Sequence, residues 1–372
     1  MKYYIISGEA SGDLHGSNLM RELKKQDADA NFRCWGGDLM QDQGGDIVKH
    51  YRDLAFMGFA EVILNLRTIF KNISFCKADI LSFQPDVLIL IDYPGFNLRI
   101  AKFAKAAGIK VFYYISPQIW AWKQSRVHGI KKNVDEMFVI LPFEKAFYAR
   151  FDMDVHFVGH PLLDAIAHFG TDSLAGFRTA NGLDDKPIVA LLPGSRKQEI
   201  KKMLPIMLSA AARFPEYQFV IAGAKSITAE FYAELIGNNP IKVLKSKTYP
   251  LLRSAHAAMV TSGTATLETA LFGVPEVVCY KGGQISYQIA RRLIKVGYIS
   301  LVNLIMDRIV VKELIQAEFN ADTLEEELRA ISEDGPYRTK MLADYGKLKA
   351  DLGGEGASKN TATLMLKTLR QA

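Results

Sequence analysis

Asp92 stands in the run Leu90-Ile91-Asp92-Tyr93-Pro94-Gly95-Phe96-Asn97, a carboxylate at the end of a wholly apolar stretch. Flanks of low polarity raise a carboxylate pKa toward the range of a general base. The bland use of an aspartate there is as a turn-maker beside Pro and Gly. Two further carboxylates stand in Ser7-Gly8-Glu9-Ala10-Ser11-Gly12-Asp13. This segment is not the G-x-G-x-x-G dinucleotide fingerprint, and it lacks the lysine of a P-loop. Glu9 and Asp13 would repel a pyrophosphate. They suit sugar hydroxyls or the orientation of a reacting group, with a helix cap as the alternative for Asp13.

Two other turns have the opposite character. Leu192-Pro193-Gly194-Ser195-Arg196 leads into Lys197-Gln198-Glu199-Ile200, and Thr261-Ser262-Gly263-Thr264 leads into Ala265-Thr266-Leu267-Glu268. Free N–H groups at a helix start, joined by the Arg196 guanidinium, make a diphosphate receptor. Ser262, Gly263 and Thr264 offer N–H and hydroxyl donors to a second side of that diphosphate. Glu268 either holds ribose hydroxyls or completes a capping box.

A third kind of segment, Ser116-Pro117-Gln118-Ile119-Trp120-Ala121-Trp122-Lys123, holds two of the three tryptophans and is followed by Arg126, His128, Lys131 and Lys132. Aromatic faces with cations suit an anionic lipid head group or a sugar phosphate. The individual lysines read as a solvated helix face. His156 and His160 lie four apart without an H-E-x-x-H context or a third ligand, so no metal site is assigned to them.

Each chemical turn follows a short apolar run and precedes a helical one. Tyr3–Ser7, Val87–Ile91, Val111–Ile115 and Met137–Leu141 are the expected strands of a first series, with helices from about Leu14 to Lys25 and from Pro142 onward. After a polar stretch around 170–186, Ile188–Leu192, Gln218–Ala222, Ala257–Thr261 and Val277–Tyr280 form a second series, and the chain is helical and charged from about Thr323. Short, uninterrupted apolar runs mark strands buried on both faces of a parallel sheet. Two such series predict an α/β protein of two doubly wound lobes, with ligands beyond the carboxyl ends of the strands and in the cleft where the lobes face each other. The apolar stretch Leu54–Phe75, with Arg67 and Lys71, reads mainly as core; a bilayer surface or acyl chains are its other possible partners.

Bulk properties narrow the class. The 372 residues suggest two domains, and 49% hydrophobic with 23% charged residues is the balance of a folded globular protein. Mean hydropathy is +0.03. A net charge of +6 from 46 basic and 40 acidic residues suits an anionic substrate or membrane surface, without the basic tract that nucleic acid binding requires. Cys34, Cys76 and Cys279 follow neither a disulfide nor a zinc pattern, so a reducing compartment is expected. No apolar run approaches the ~20 residues of a membrane span, and the N-terminal run is too short for a signal peptide.

Taken in order, Gly8-Glu9-Ala10-Ser11-Gly12-Asp13, Met57-Gly58, Ser116-Pro117 with Trp120-Ala121-Trp122, Leu141-Pro142-Phe143-Glu144, Gly159-His160, Leu192-Pro193-Gly194-Ser195-Arg196, Ser262-Gly263-Thr264-Ala265 with Glu268, and Tyr298-Ile299-Ser300-Leu301-Val302-Asn303 resemble the lipid-A-disaccharide synthase family, glycosyltransferase family 19, over nearly the whole chain. Each motif is weak alone; their joint order and spacing are specific. Two positions depart from the family pattern. Gly95 stands where an Asp is frequent, and Val302 where a Pro is frequent.

The resemblance implies a GT-B fold, with residues 1–169 as an acceptor lobe completed by helices at about 345–372, and residues 170–344 as the UDP-sugar lobe. It implies UDP-2,3-diacylglucosamine as donor and 2,3-diacylglucosamine 1-phosphate as acceptor. The β-1,6-linked disaccharide phosphate and UDP are the products. It also implies a cytoplasmic protein on the inner face of the membrane, with last helices that can be exchanged between the subunits of a homodimer. On this reading Asp92 takes the proton of the acceptor 6-hydroxyl, while Arg196, Ser262, Gly263 and Thr264 receive the diphosphate. Glu268 grips the ribose and Asn303 touches the nucleotide. Glu9, Ser11, Asp13, Met57, Trp120 and Trp122 line the acceptor side. No metal or other cofactor is expected, because guanidinium and helix dipoles supply the positive charge. The rival readings are an enzyme like UDP-N-acetylglucosamine 2-epimerase and a non-catalytic nucleotide-sugar sensor.

Overall fold

The computed structural model describes residues 1–54, 66–169, 174–283 and 297–371. The described chain separates into two compact units, Met1–Asp164 with Leu352–Ala372, and Ala165–Asp351.

In the first unit the strands are β1 (Lys2–Ile6), β2 (Asn31–Gly36), β3 (Asp46–His50), β4 (Val87–Ile91), β5 (Lys110–Tyr114), β6 (Glu136–Val139) and β7 (His156–Phe157). β4 reads Val-Leu-Ile-Leu-Ile and is buried at every position. With helices over both faces of a parallel sheet, such a strand has no place for a polar side chain. The order is β3-β2-β1-β4-β5-β6-β7, parallel throughout. The direction of growth therefore reverses between β1 and β4, and a crevice opens beyond the carboxyl ends of strands at such a switch point. Glu9 follows β1 and Asp92 follows β4, so the topology puts both at that point.

The second unit repeats the scheme with β8 (Ile188–Leu192), β9 (Gln218–Gly223), β10 (Lys242–Lys245), β11 (Ala255–Thr261), β12 (Glu276–Tyr280) and β13 (Glu313–Ile315). Its order is β10-β9-β8-β11-β12-β13, again parallel, with the reversal between β8 and β11. Those are the strands that end in the Gly194–Arg196 and Ser262–Thr264 turns.

The chain returns to the first unit at Leu352, later than the expected position near 345. Tyr345 and Leu348 are buried on the helix Pro336–Asp351, and Asp344 holds Arg308 through two bonds of 2.7 and 2.6 Å; all belong to the second unit. The crossing is made by Leu352-Gly353-Gly354-Glu355-Gly356, whose glycines have φ of +89°, +74° and +103°, a conformation closed to most side chains. The Asp164 carboxylate then accepts the N–H groups of Gly356 (2.6 Å) and Ser358 (2.9 Å) and starts the helix Ala357–Arg370. Met365 and Leu366 of that helix join Leu19, Met20 and Leu23 of the helix Ala10–Lys24 in one core. Burial of roughly 1.5–3 kcal/mol per large apolar side chain is what holds the tail.

Of the apolar stretch that begins at Leu54, residues 55–65 lie outside the described residues. The helix Leu66–Phe83 follows, buried at Cys76 and Ile80 but exposed at Phe70, Phe75 and Leu81. No helix among the described residues is long and apolar enough to cross a membrane.

Candidate active site

At the first switch point the backbone itself is constrained. Asp92 and Tyr93 have φ of +43° and +51°, two successive non-glycine residues in the left-handed region. Such positions cost of order 1–3 kcal/mol each and persist where neighbours over-determine them. Here the Asp92 N–H donates to the Tyr114 carbonyl (3.2 Å), and its carbonyl accepts Asn97 Nδ2 (2.7 Å) and the Tyr113 hydroxyl (2.5 Å). Gly8 completes the packing. A Cβ there would stand 2.3 Å from the Tyr93 ring, so glycine is required by contact. Burial, then the nearby Glu9 carboxylate, push Asp92 up to about 6, opposed by the Tyr93 N–H. A base with that value is ionised at neutral pH and still accepts a proton readily.

The carboxylates of the first turn separate in role. Glu9 and Ser11 are exposed at the start of the helix Ala10–Lys24. Asp13 is 2% exposed, and its carboxylate accepts the N–H groups of Gly37 (2.8 Å), Leu39 (3.1 Å) and Met40 (3.1 Å). The acceptor-side expectation for Asp13 is therefore corrected. It caps the helix Asp38–Asp42, not its own helix, because that helix brings orphan N–H groups to it. Asp13→Ala is expected to cost about 2 kcal/mol of stability, read as a lower thermal midpoint. Unchanged stability with impaired acceptor kinetics would return Asp13 to the substrate.

The two tryptophans also part company. Trp120 is 6% exposed and packs edge-on against Phe143, centroids 4.9 Å apart. Its expected contact with an acceptor is corrected to a core contact. Trp122 is 49% exposed, with the Arg126 guanidinium 4.9 Å and Lys123 Nζ 6.0 Å from its ring. Met57 lies outside the described residues. His156 bonds Glu136 across β7 and β6 at 2.8 Å, and His160 Nδ1 accepts the Leu162 N–H at 3.2 Å.

In the second unit, a cavity of about 510 Å³ is lined by Gly194, Arg196, Glu199, Gly263, Thr264 and Glu268, among others. The helices Lys197–Ala211 and Thr264–Leu271 begin at it, one after β8 and one after the adjacent β11. Their first N–H groups have no acceptor within the helix. Arg196 pairs with Glu199 at 3.3 Å with its side chain 62% exposed. An exposed pair of this kind contributes at most about 1 kcal/mol, so an oxyanion competes for the guanidinium.

Three expectations change here. Ser262 donates its N–H to the Cys279 carbonyl and its hydroxyl to the Ile299 carbonyl (2.9 Å), so it fastens the turn and leaves donation to Gly263 and Thr264. Glu268 is not a capping-box partner. The helix starts at Thr264, which makes Thr266 the third residue; Thr266 bonds Gly263, and Glu268 lies two residues further on. Its carboxyl accepts the Tyr249 hydroxyl (3.0 Å), and burial raises its pKa. Asn303 is 1% exposed and satisfied within the protein. Oδ1 accepts the Val310 and Val311 N–H groups, and Nδ2 donates to the Val311 carbonyl and Glu313. The expected nucleotide contact is replaced by a structural one, since no side-chain donor or acceptor is left over.

Sequence reading missed the residues that hold these loops. Glu313 accepts the Ile299 and Ser300 N–H groups, the Ser300 hydroxyl and the Asn303 amide. Glu144, 1% exposed, is raised by burial to about 7 against the pull of the Leu141 and Ile140 N–H groups and of Ser116 and Trp120. Glu144 belongs to the Leu141-Pro142-Phe143-Glu144 motif; Glu313 had no local signal.

Two Rossmann-like parallel sheets, each with chemistry-bearing turns at its switch point, define a protein of the GT-B class. A solved UDP-GlcNAc 2-epimerase from Neisseria meningitidis, bound to UDP-GlcNAc, matches with a TM-score of 0.67 over 100% of both chains at 14% identity, which shows the fold alone. The family model described as lipid-A-disaccharide synthetase matches residues 3–367. Lipid-A-disaccharide synthase of Trichlorobacter lovleyi is 40% identical, covering 99% of this chain and 97% of its own; that of Coxiella burnetii is 37% identical, covering 97% and 96%. The chain belongs to the lipid-A-disaccharide synthetase family and is a hexosyltransferase of lipid A biosynthesis. The epimerase and sensor readings give way to that assignment.

Proposed function

We propose that the first unit binds 2,3-diacylglucosamine 1-phosphate and the second binds UDP-2,3-diacylglucosamine, and that Asp92 deprotonates the acceptor 6-hydroxyl as it attacks the donor anomeric carbon. The C1–O bond to UDP breaks as the new glycosidic bond forms on the opposite face, so the configuration inverts. The observation that carries this reading is the carboxyl at the first switch point, poised near 6 and flanked by Glu9. UDP leaves toward Arg196 and the N–H groups at Gly263 and Thr264, which stabilise the charge on the leaving diphosphate. Glu268 accepts a ribose hydroxyl beside its bond from Tyr249.

These donors supply the positive charge, so the transfer proceeds without a metal or other cofactor. Trp122 with Arg126 and Lys123 receives the sugar phosphate of the acceptor. Exposed Phe70, Phe75 and Leu81 support peripheral contact with the membrane surface from the cytoplasmic side, where both substrates would be met.

Incubating the chain with each substrate alone and then with both tests the whole reading. UDP release is expected only with both, at a rate unchanged by EDTA, with a lipid product of the mass of the disaccharide phosphate. UDP release from the donor alone, or loss of activity with EDTA, would overturn it.

A further inference from the structure

Glu268 lines the cavity of the second unit, and what places its carboxylate there is a single contact. Oε1 accepts the Tyr249 hydroxyl at 3.0 Å, and no other side-chain donor reaches the carboxylate among the described residues. A carboxylate on a long, flexible side chain is loosely placed by itself, and away from water it is costly unless it is hydrogen-bonded. Tyr249 supplies that bond from behind the cavity wall. Its neighbour Thr248 belongs to the lining and Tyr249 does not.

The phenol is itself held. Tyr249 stands on the helix Thr248–Ser254, with its ring edge-on to Phe169 (centroids 5.5 Å apart, planes at 89°) and tilted on Phe272 (5.1 Å, 58°). Phe272 comes four residues after Glu268, at the end of the helix Thr264–Leu271. Residues so spaced share a helix face, and one tyrosine touches both, the first with its hydroxyl and the second with its ring. Phe169 is clamped from the tyrosine's own helix. Arg253, four residues after Tyr249, donates to the Phe169 carbonyl (2.9 Å) and sets its guanidinium 5.2 Å from the Phe169 ring. Burial, then the Glu268 charge, push the phenol well above its ordinary value, so it stays protonated and donates.

We infer that Tyr249 is a positioning residue for the donor nucleotide: braced between Phe169 and Phe272, it pins Oε1 of Glu268 and leaves Oε2 to meet a ribose hydroxyl in the cavity. This rests on the reading of Glu268 as the ribose ligand.

The test uses Tyr249→Phe in the full chain, with UDP, 2′-deoxy-UDP and 3′-deoxy-UDP as ligands in calorimetry and donor kinetics measured beside them. Phenylalanine keeps both ring contacts and removes the donor to Glu268. The parent is expected to bind one of the two analogues ~10–100-fold more weakly than UDP, the range of a hydrogen bond to a charged group. In Tyr249→Phe that gap should shrink to ~3-fold or less, through weaker binding of UDP and not tighter binding of the analogue. The donor KM should rise ~10-fold with kcat and the acceptor KM at parental values, because the ribose does not react and its contact is the same in ground and transition states. The gap is a ratio measured on one variant, so partial unfolding of that variant does not change it. A parental gap in Tyr249→Phe, an equal loss for UDP and both analogues, or a fall in kcat at parental KM overturns the proposal. Glu268→Ala tells the two readings apart. If it closes the gap while Tyr249→Phe does not, only the positioning role fails. If the gap survives Glu268→Ala, or the parent shows none, the ribose reading fails and takes the proposal with it.

Discussion

Asp92→Asn is expected to slow turnover by ~10²–10⁴-fold, the range of general-base catalysis, with UDP affinity unchanged. The pH profile carries the sharper test. With the carboxyl near 6, kcat/KM of the parent should rise with pH up to about that value and level off above it, since only the ionised form accepts the proton. Glu9 is the charge that adds to the shift, so Glu9→Gln should move this limb to lower pH. The linkage to stability has a definite sign. A carboxyl raised on folding contributes stability that is fully present below its unfolded value and is lost as pH rises through the folded value. Asparagine removes that loss. The variant should therefore melt no lower than the parent at pH 8, and its inactivity will not trace to unfolding. Near-parental turnover in Asp92→Asn, or a profile without the acidic limb, would remove Asp92 as the base.

Arg196→Ala should lower kcat/KM by ~10²–10³-fold, the typical effect of deleting one donor to a developing oxyanion, and weaken UDP binding measured by calorimetry. Part of the loss comes from what the substitution uncovers. Glu199 lines the same cavity and pairs with Arg196, so the alanine variant presents an uncompensated carboxylate to a diphosphate. Arg196→Ala/Glu199→Gln should accordingly recover some UDP affinity relative to Arg196→Ala. Lysine at 196 should restore only part of the rate, because a point charge lacks the bidentate fork. If Arg196→Ala binds UDP as the parent does, the diphosphate lies elsewhere.

What could be read ahead of the structure divides along a physical line. Val87–Ile91 and Ile188–Leu192 announce buried parallel strands because burial on both faces leaves only apolar residues, a purely local pattern. β2, β3 and β10 gave no such sign. Asn31-Phe32-Arg33 and Asp46-Ile47-Val48-Lys49 mix polar and apolar residues, since Arg33 pairs with Asp46 and Asp79 at the sheet's side. Asp92 and Arg196 stand out as candidates because each sits where an apolar run gives way to a turn. Such turns gather at the carboxyl ends of parallel strands.

By itself, then, the order of residues determined the α/β class, the two series of strands, the turns that carry charge and the family. It did so because burial, helix starts and glycine turns all act over a few neighbouring residues. The tertiary structure alone decided which polar side chains remain available for chemistry. Asp13 is consumed by N–H groups 24 to 27 positions away, Ser262 by Ile299, and Asn303 by Val310, Val311 and Glu313. A hydrogen bond needs its partner in space, and only the folded sheet edge brings these partners within 3 Å or so.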